Sequence, residues 1–242
     1  MVRFIHTADL QLILSPGAPD VRRAIQEARF ETLTRIMEVA REREVDFVAI
    51  CGDIFEDGLV SDETVHRAVR IFSDAAPMPV YIIPGNHDPL TPMSVYRHDA
   101  FRTAGENVAV LKTPDPVPVT DECALYPCPV LEKRSIYDPT AVIPPRAGTD
   151  GIRIGLAHEP EGCAGEFAAT QIGLREALSF GGTAVEHGCV FGLLFVGTRF
   201  RLAVEFLLFG IGQPFGSGVA GWRAALDGDE VEFCVETVFH IA

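Results

Sequence analysis

Short apolar runs that end in polar segments alternate with longer amphipathic stretches through the first part of the chain. Val2 to His6 reads as a buried strand that gives way to the polar segment His6-Thr7-Ala8-Asp9. From Asp20 to Glu44, Ile25, Phe30, Leu33, Ile36, Met37 and Ala40 recur at three- and four-residue spacing, which predicts an amphipathic helix with Asp20 as its N-cap. Val45 to Cys51 (VDFVAIC) predicts a second strand, closed by Gly52-Asp53. Ser61 to Asp74 predicts another helix, opening on Ser61-Asp62-Glu63-Thr64. Pro79 to Ile83 predicts a third strand, closed by Pro84-Gly85-Asn86-His87-Asp88. Strands separated by helical stretches imply an α/β layer, with the polar loops along one edge of its sheet.

After Asn107 the pattern changes to short β-like pieces (VAVL, VPVT, CALYPCPVL) punctuated by Pro114, Pro116, Pro118, Pro127 and Pro129. That rhythm suits a second, more irregular sheet. Pro139 to Gly151 reads as a connector, and Gly151 to His158 (GIRIGLAH) as a further strand ending in a polar residue. Beyond about Gly165 the signals thin out. Gln171 to Phe180 fits a helix, Cys189 to Gly212 is apolar with Phe and Gly, and Val231 to Ile241 reads as a last strand. No repeat or low-complexity tract is visible.

Composition narrows the classes. With 242 residues and 48% hydrophobic positions the chain is long and apolar enough for a buried core of one or two domains, which excludes a disordered chain and a disulfide mini-scaffold. Lys plus Arg is 20 and Asp plus Glu 34, a formal charge of -14, so any nucleic acid would need a local basic patch, a partner or bound metal to hold it. The six cysteines contain no C-x-x-C pair, and the opening residues Met1 to Leu14 are interrupted by His6 and Asp9 before a signal-like apolar stretch can form. The longest apolar tracts are too short to span a bilayer. A cytoplasmic protein with no membrane association is the expectation.

The chemistry gathers at the strand ends. Asp9, Asp53, Asn86, His87 and His158 are oxygen or imidazole donors predicted at the edge of one sheet. Carboxylate, amide and imidazole together suit Mn²⁺, Fe²⁺ or Zn²⁺, and two such ions bridged by one carboxylate could clamp a phosphoryl group while activating a water. Asp53 is the natural bridge. His6-Thr7-Ala8-Asp9-Leu10-Gln11, Gly52-Asp53 and Gly85-Asn86-His87-Asp88, in this order and spacing, with His158 in GLAHEP, resemble the calcineurin-like metallophosphoesterases, and more closely their SbcD-type DNA-repair exonuclease branch. The resemblance covers roughly residues 1 to 160 and implies a layered α-β-β-α sandwich with two mixed sheets. The expected organisation is a metallophosphoesterase core over 1–160 and a divergent remainder of the same domain over 161–242, without a recognisable cap domain. By resemblance, Asp9 binds one ion, Asp53 bridges both, Asn86 and His158 bind the other, and His87 serves the phosphoester as proton donor or charge stabiliser. Two divalent ions, Mn²⁺ first with Fe²⁺ or Zn²⁺ as alternatives, are implied, as are DNA as substrate and an SbcC-type ATPase as partner.

Two positions depart from the family pattern. Gln11 stands where the family usually has a histidine, and an amide is a weaker ligand than imidazole, so one ion should be held less firmly. No G-H-x-H pair follows His158; only His187 and His240 remain, and neither has the spacing. The function expected is therefore a metal-dependent phosphodiesterase hydrolysing DNA through a water activated by two metal ions. The alternatives are a small-nucleotide phosphodiesterase or phosphatase, and a catalytically impaired scaffold subunit. Cys51 is expected in the core, and His66 and His98 on the surface.

Overall fold

The computed structural model describes residues 2–12, 18–55, 60–121, 123–135, 139–144 and 152–158, together with the backbone of strands at 182–185, 192–197, 204–208, 220–226 and 229–237. The first half builds one parallel sheet: β1 (Phe4–Thr7), β2 (Phe47–Cys51), β3 (Val80–Ile83) and β4 (Val108–Val110), side by side in chain order. Helix α1 (Pro19–Glu42) connects β1 to β2, and α2 (Asp62–Ser73) connects β2 to β3. Such crossovers are what parallel neighbours require.

The strands are apolar on both faces because both faces are covered. Ile5, Val48, Ile50, Val80 and Ile82 point to a layer completed by Phe30, Leu33, Ile36 and Met37 of α1 and by Val65, Val69 and Phe72 of α2. Phe4, Phe47, Ala49, Cys51 and Ile83 point the other way, as strand alternation demands, into a second core layer. There the Phe4 and Phe47 rings stack with centroids 4.8 Å apart. Cys51 is buried in this layer as expected.

The second layer is closed by a mixed sheet in the order β5-β6-β7-β9-β8, formed by β5 (Val117–Thr120), β6 (Cys123–Cys128), β7 (Ile152–His158), β8 (Gly182–Val185) and β9 (Gly192–Gly197). Its strands β6 and β7 are parallel, and the other pairings are antiparallel. Leu125, Ile152, Ile154 and Leu156 meet the first sheet from this side. The remaining strands, β10 (Val204–Leu208), β11 (Ala220–Leu226) and β12 (Asp229–Thr237), form a small sheet in the order β10-β12-β11. The described part is thus an α/β arrangement of helices, a parallel sheet and a mixed sheet. The helix expected over Gln171 to Phe180 lies outside the described residues.

Three sequence expectations are corrected. The VAVL segment was expected in the second sheet, but β4 pairs in parallel with β3, Val80 opposite Val108, and closes the first sheet instead. That sheet therefore holds only parallel pairs among its described strands, and the mixed character belongs to the second one. Ala18, not Asp20, is the N-cap of α1. Pro19 enters the first turn, where its fixed φ suits the helix and its missing N–H is not needed, and Asp20 then lies inside that turn near the positive end of the helix dipole. Helix α2 opens where expected, with Ser61 as N-cap and its hydroxyl accepting from the Thr64 N–H at 3.3 Å.

No helix among the described residues is long and apolar enough to cross a membrane.

Candidate metal centre

The loops after β1 and β2 run alongside each other past the strand ends. The Asp9 N–H donates to the Gly52 carbonyl at 3.1 Å, the Gln11 N–H to the Asp53 carbonyl at 3.0 Å and the Leu12 N–H to the Ile54 carbonyl at 2.7 Å. Asp9, Gln11 and Asp53 adopt φ values of 55°, 44° and 55°, and Gly52 one of 85°. Left-handed backbone at non-glycine residues costs about 1 kcal/mol or more each and persists where surrounding bonds over-determine it. Here it turns two carboxylates toward one another over the sheet edge.

A Cβ at Gly52 would run into the His158 ring, and one at Gly85 would run into the Asp53 carboxylate. Only glycine permits these approaches. His158 arrives from the other sheet, at the end of β7, and is fully buried. Its Nδ1 lies 2.8 Å from the Cys51 carbonyl oxygen, which can only accept, so Nδ1 carries a proton. The other nitrogen, Nε2, faces two acceptors: Asn86 Oδ1 at 2.8 Å and Asp53 Oδ1 at 3.3 Å. Asp9, Asp53 and His158 offer three ligand atoms within 4.8 Å of one another.

The electrostatics follow from that crowding. Burial pushes the Asp9 carboxyl up to about 6, with His158 opposing the shift and the charges of Asp53 and Asp88 adding to it. Burial also pushes Asp53 up, but the hydrogen bond and charge of His158 outweigh it and hold that carboxyl below its usual range. For His158, burial favours the neutral ring, yet Asp53 and Asp9 reverse the balance and raise it to about 9. A proton on Nε2 thus occupies the point on which imidazole, carboxylate and amide oxygen converge. A divalent cation satisfies the same acceptors with more charge, and an Nδ1–H held by a carbonyl is the usual outer support of a metal-binding histidine. Asp9 Oδ2 is buried without a hydrogen-bond partner among the described residues, a further acceptor left for a cation. The residues fit a metal ion.

His87 differs from His158. Its side chain is 25% exposed, whereas those of Asp53 and His158 are 2% and 0%. Its backbone N–H donates to Asp53 Oδ1 at 2.9 Å, and its Nε2 stands 4.0 Å from Asp53 Oδ2. It is the imidazole on the open rim of the cluster. Gln11 is half-buried beside the cluster, tied by its backbone: its N–H goes to Asp53, and its carbonyl accepts from Arg29 Nη1 at 2.6 Å. His66 is on the surface as expected, while His98 is half-buried and caps the short helix α3 (Asp99–Arg102), its Nδ1 accepting from the Ala100 N–H at 3.1 Å. His187 and His240 lie outside the described residues.

Two supporting residues had no role assigned from the sequence. Asp88, the last residue of Gly85-Asn86-His87-Asp88, is buried and accepts from the N–H groups of Asp53, Phe55 and Gly85 at 3.2, 3.1 and 2.8 Å. Tyr96 donates its hydroxyl to Asp88 Oδ2 at 2.7 Å. Burial and the nearby Asp53 charge push the Asp88 carboxyl up, and burial with the Asp88 charge pushes the Tyr96 phenol up. The sequence motif contains Asp88, so its position was visible. Tyr96 sits in a three-residue 3₁₀ turn, Val95–Arg97, too short to leave any periodicity.

Over 89 residues the chain is 36% identical to the DNA double-strand break repair protein Mre11 of Methanopyrus kandleri, a match covering 36% of this chain and 19% of that protein. The chain thus spans about a fifth of the length of that curated relative. The crystal structure of TT1561 of Thermus thermophilus aligns over 95% of this chain and 87% of its own at 11% identity, with a TM-score of 0.39. The profile of the calcineurin-like phosphoesterases matches residues 2–134, more than half of the chain, and the chain belongs to that family of phosphoester hydrolases.

Proposed function

We propose that the chain is a metal-dependent phosphodiesterase acting on DNA, with Asp9, Asp53, Asn86 and His158 as metal ligands, Gln11 as a weaker one and His87 at the reacting phosphoester. The observation that carries this reading is the orientation of His158: Nδ1 on the Cys51 carbonyl, Nε2 directed at Asp53 and Asn86. Two divalent ions, Mn²⁺ first and Fe²⁺ or Zn²⁺ otherwise, would supply Lewis-acid charge and lower the pKa of a nucleophilic water. The chain's own residues do the rest. Asp53 would serve both ions, a role supported by its lying beside both His87 and His158. His87 reaches solvent, so it can meet a substrate and give a proton to the leaving oxygen or stabilise its charge. The buried His158 cannot take that part.

DNA as substrate is supported by the similarity to a protein described as acting in double-strand break repair. An SbcC-type ATPase partner rests on the sequence resemblance alone. A cytoplasmic setting rests on the sequence reading alone, six cysteines without a C-x-x-C pair. A second reading, a small-nucleotide phosphodiesterase, is favoured by the formal charge of -14, which gives little general grip on a polyanion.

Turnover of a chromogenic phosphodiester and of linear duplex DNA tests both. We expect EDTA to abolish both activities and Mn²⁺ to restore them. Duplex affinity should fall steeply with salt, as several phosphate contacts require, and a flat salt dependence would favour the small nucleotide. Turnover that survives complete metal removal would refute the proposal.

A further inference from the structure

Asp88 ties together two loops that carry the metal centre. Its Oδ1 accepts from the Asp53 and Gly85 N–H groups, and its Oδ2 accepts from the Phe55 N–H and the Tyr96 hydroxyl. Asp53 and Phe55 follow β2, and Gly85 follows β3, so one carboxylate fixes the spacing of both strand-end loops. An ionised carboxylate is acceptor-only, and two donors on each oxygen hold its plane in place. That plane matters because the Asp53 peptide is bound to it. With φ at 55°, Asp53 keeps its direction only while its neighbours impose it. Tyr96 is the sole side-chain donor to Asp88 among the described residues, and hence the one that a substitution can remove. Its ring is fully buried and packs on Phe101 at 5.2 Å, and Phe101 in turn meets Phe55 at 6.3 Å. The ring therefore keeps its place without the hydroxyl.

We infer that Tyr96 is a positioning residue for the metal-binding turn at Asp53, acting through Asp88. The inference rests on the metal reading of the Asp9, Asp53 and His158 cluster. Removing the hydroxyl leaves Oδ2 with the Phe55 N–H alone, lets the carboxylate rotate and loosens the Asp53 peptide. Outer-shell partners of metal ligands are worth about 10–100-fold in affinity, and a partner one step further out belongs at the lower end of that range. Asp88→Asn should do more than Tyr96→Phe, because an amide turns two donors toward groups that themselves donate.

Calorimetric titration of Mn²⁺ into the wild-type chain, Tyr96→Phe and the control Tyr81→Phe is the test, paired with amide hydrogen exchange on the metal-free proteins. We expect about tenfold weaker binding by Tyr96→Phe and no change by Tyr81→Phe. The amides of Asp53, Phe55 and Gly85 should exchange faster in Tyr96→Phe, with those of β6 unchanged. A lowered melting temperature with wild-type affinity and wild-type exchange at Asp53 would mark Tyr96 as merely structural and overturn the inference. Absence of Mn²⁺ binding by the wild-type chain would overturn the metal reading and this inference with it, whereas equal binding by wild type and Tyr96→Phe would overturn this inference alone.

Discussion

The two sheets supply the candidate site in different ways. Asp9 and Asp53 are set locally: neighbouring strand ends of one parallel sheet continue into loops that bond to each other, and Asp88 fastens the second loop to the third. His158 is set at long range. It comes from β7 of the mixed sheet and reaches the cluster only because Ile154 and Leu156 pack against Phe47, Ala49 and Cys51 of the first sheet. The acidic half of the site thus depends on backbone hydrogen bonds within one layer, and the imidazole half on apolar packing between layers. A cation bound by both halves joins the sheets, so metal affinity should report on packing that lies far from the metal.

The largest effect should come from Asp53→Asn, which removes the charge shared by both halves. It should release metal and lower phosphodiester turnover more than His87→Ala. The latter should cost about 10²–10⁴-fold in kcat, the usual worth of a proton-transfer group, while leaving Mn²⁺ affinity near wild type. Turnover together with metal analysis checks both, and loss of metal in His87→Ala would move that residue from the rim into the ligand set.

Next come two substitutions of equal burial. Ile50 faces the helices and Leu156 faces the inter-sheet layer, and both are fully buried. Each truncation to alanine should cost about 2–5 kcal/mol in denaturant unfolding. Only Leu156→Ala should also weaken Mn²⁺ binding, because it alone loosens the packing that delivers His158. Equal weakening by both would break the distinction between the halves.

A smaller effect is expected of Gln11→His. Imidazole is the better donor for a transition ion, and histidine tolerates the left-handed backbone found at this position. Activity at limiting Mn²⁺ should rise a few-fold, and a fall would show that the side chain at position 11 does not face the metal. The smallest effect concerns the inter-sheet layer itself. Burial pushes the Cys123 thiol up to about 12, with the Asp46 charge adding to the shift. The folded chain therefore keeps a proton that the unfolded chain releases above its own thiol pKa of roughly 8.5, so this contribution to stability is full below that value and is lost as pH rises toward 12. Cys123→Ala should flatten the alkaline fall of the melting temperature.

The legible parts of the molecule were those with local causes. VDFVAIC and the run before Pro84 are apolar enough to read as strands covered on both faces, and the glycines and polar residues that close them mark the sheet edge. The motif blocks singled out Asp9, Asp53, Asn86 and His87, which lie in the loops just beyond those strand ends. What escaped depends on tertiary context. VAVL is apolar in any sheet, and only its register against β3 decides which one it joins. Asp20 is not the cap because Pro19 is suited to the first helical turn, so the helix starts ahead of Asp20 and takes that residue into the turn. Tyr96 gave no sign because its role lies in one hydroxyl directed at Asp88, eight residues away in sequence. His158 was legible as a polar strand end, but the Cys51 carbonyl that orients it, 107 residues earlier, was not.

The most direct test of a metal centre spanning the two sheets is anomalous diffraction at the manganese edge from crystals grown with Mn²⁺. The account predicts an anomalous peak within bonding distance of both His158 Nε2 and an Asp53 carboxylate oxygen, with His158 Nδ1 still on the Cys51 carbonyl. A peak that touches only the acidic loops, or none between the sheets, would contradict it.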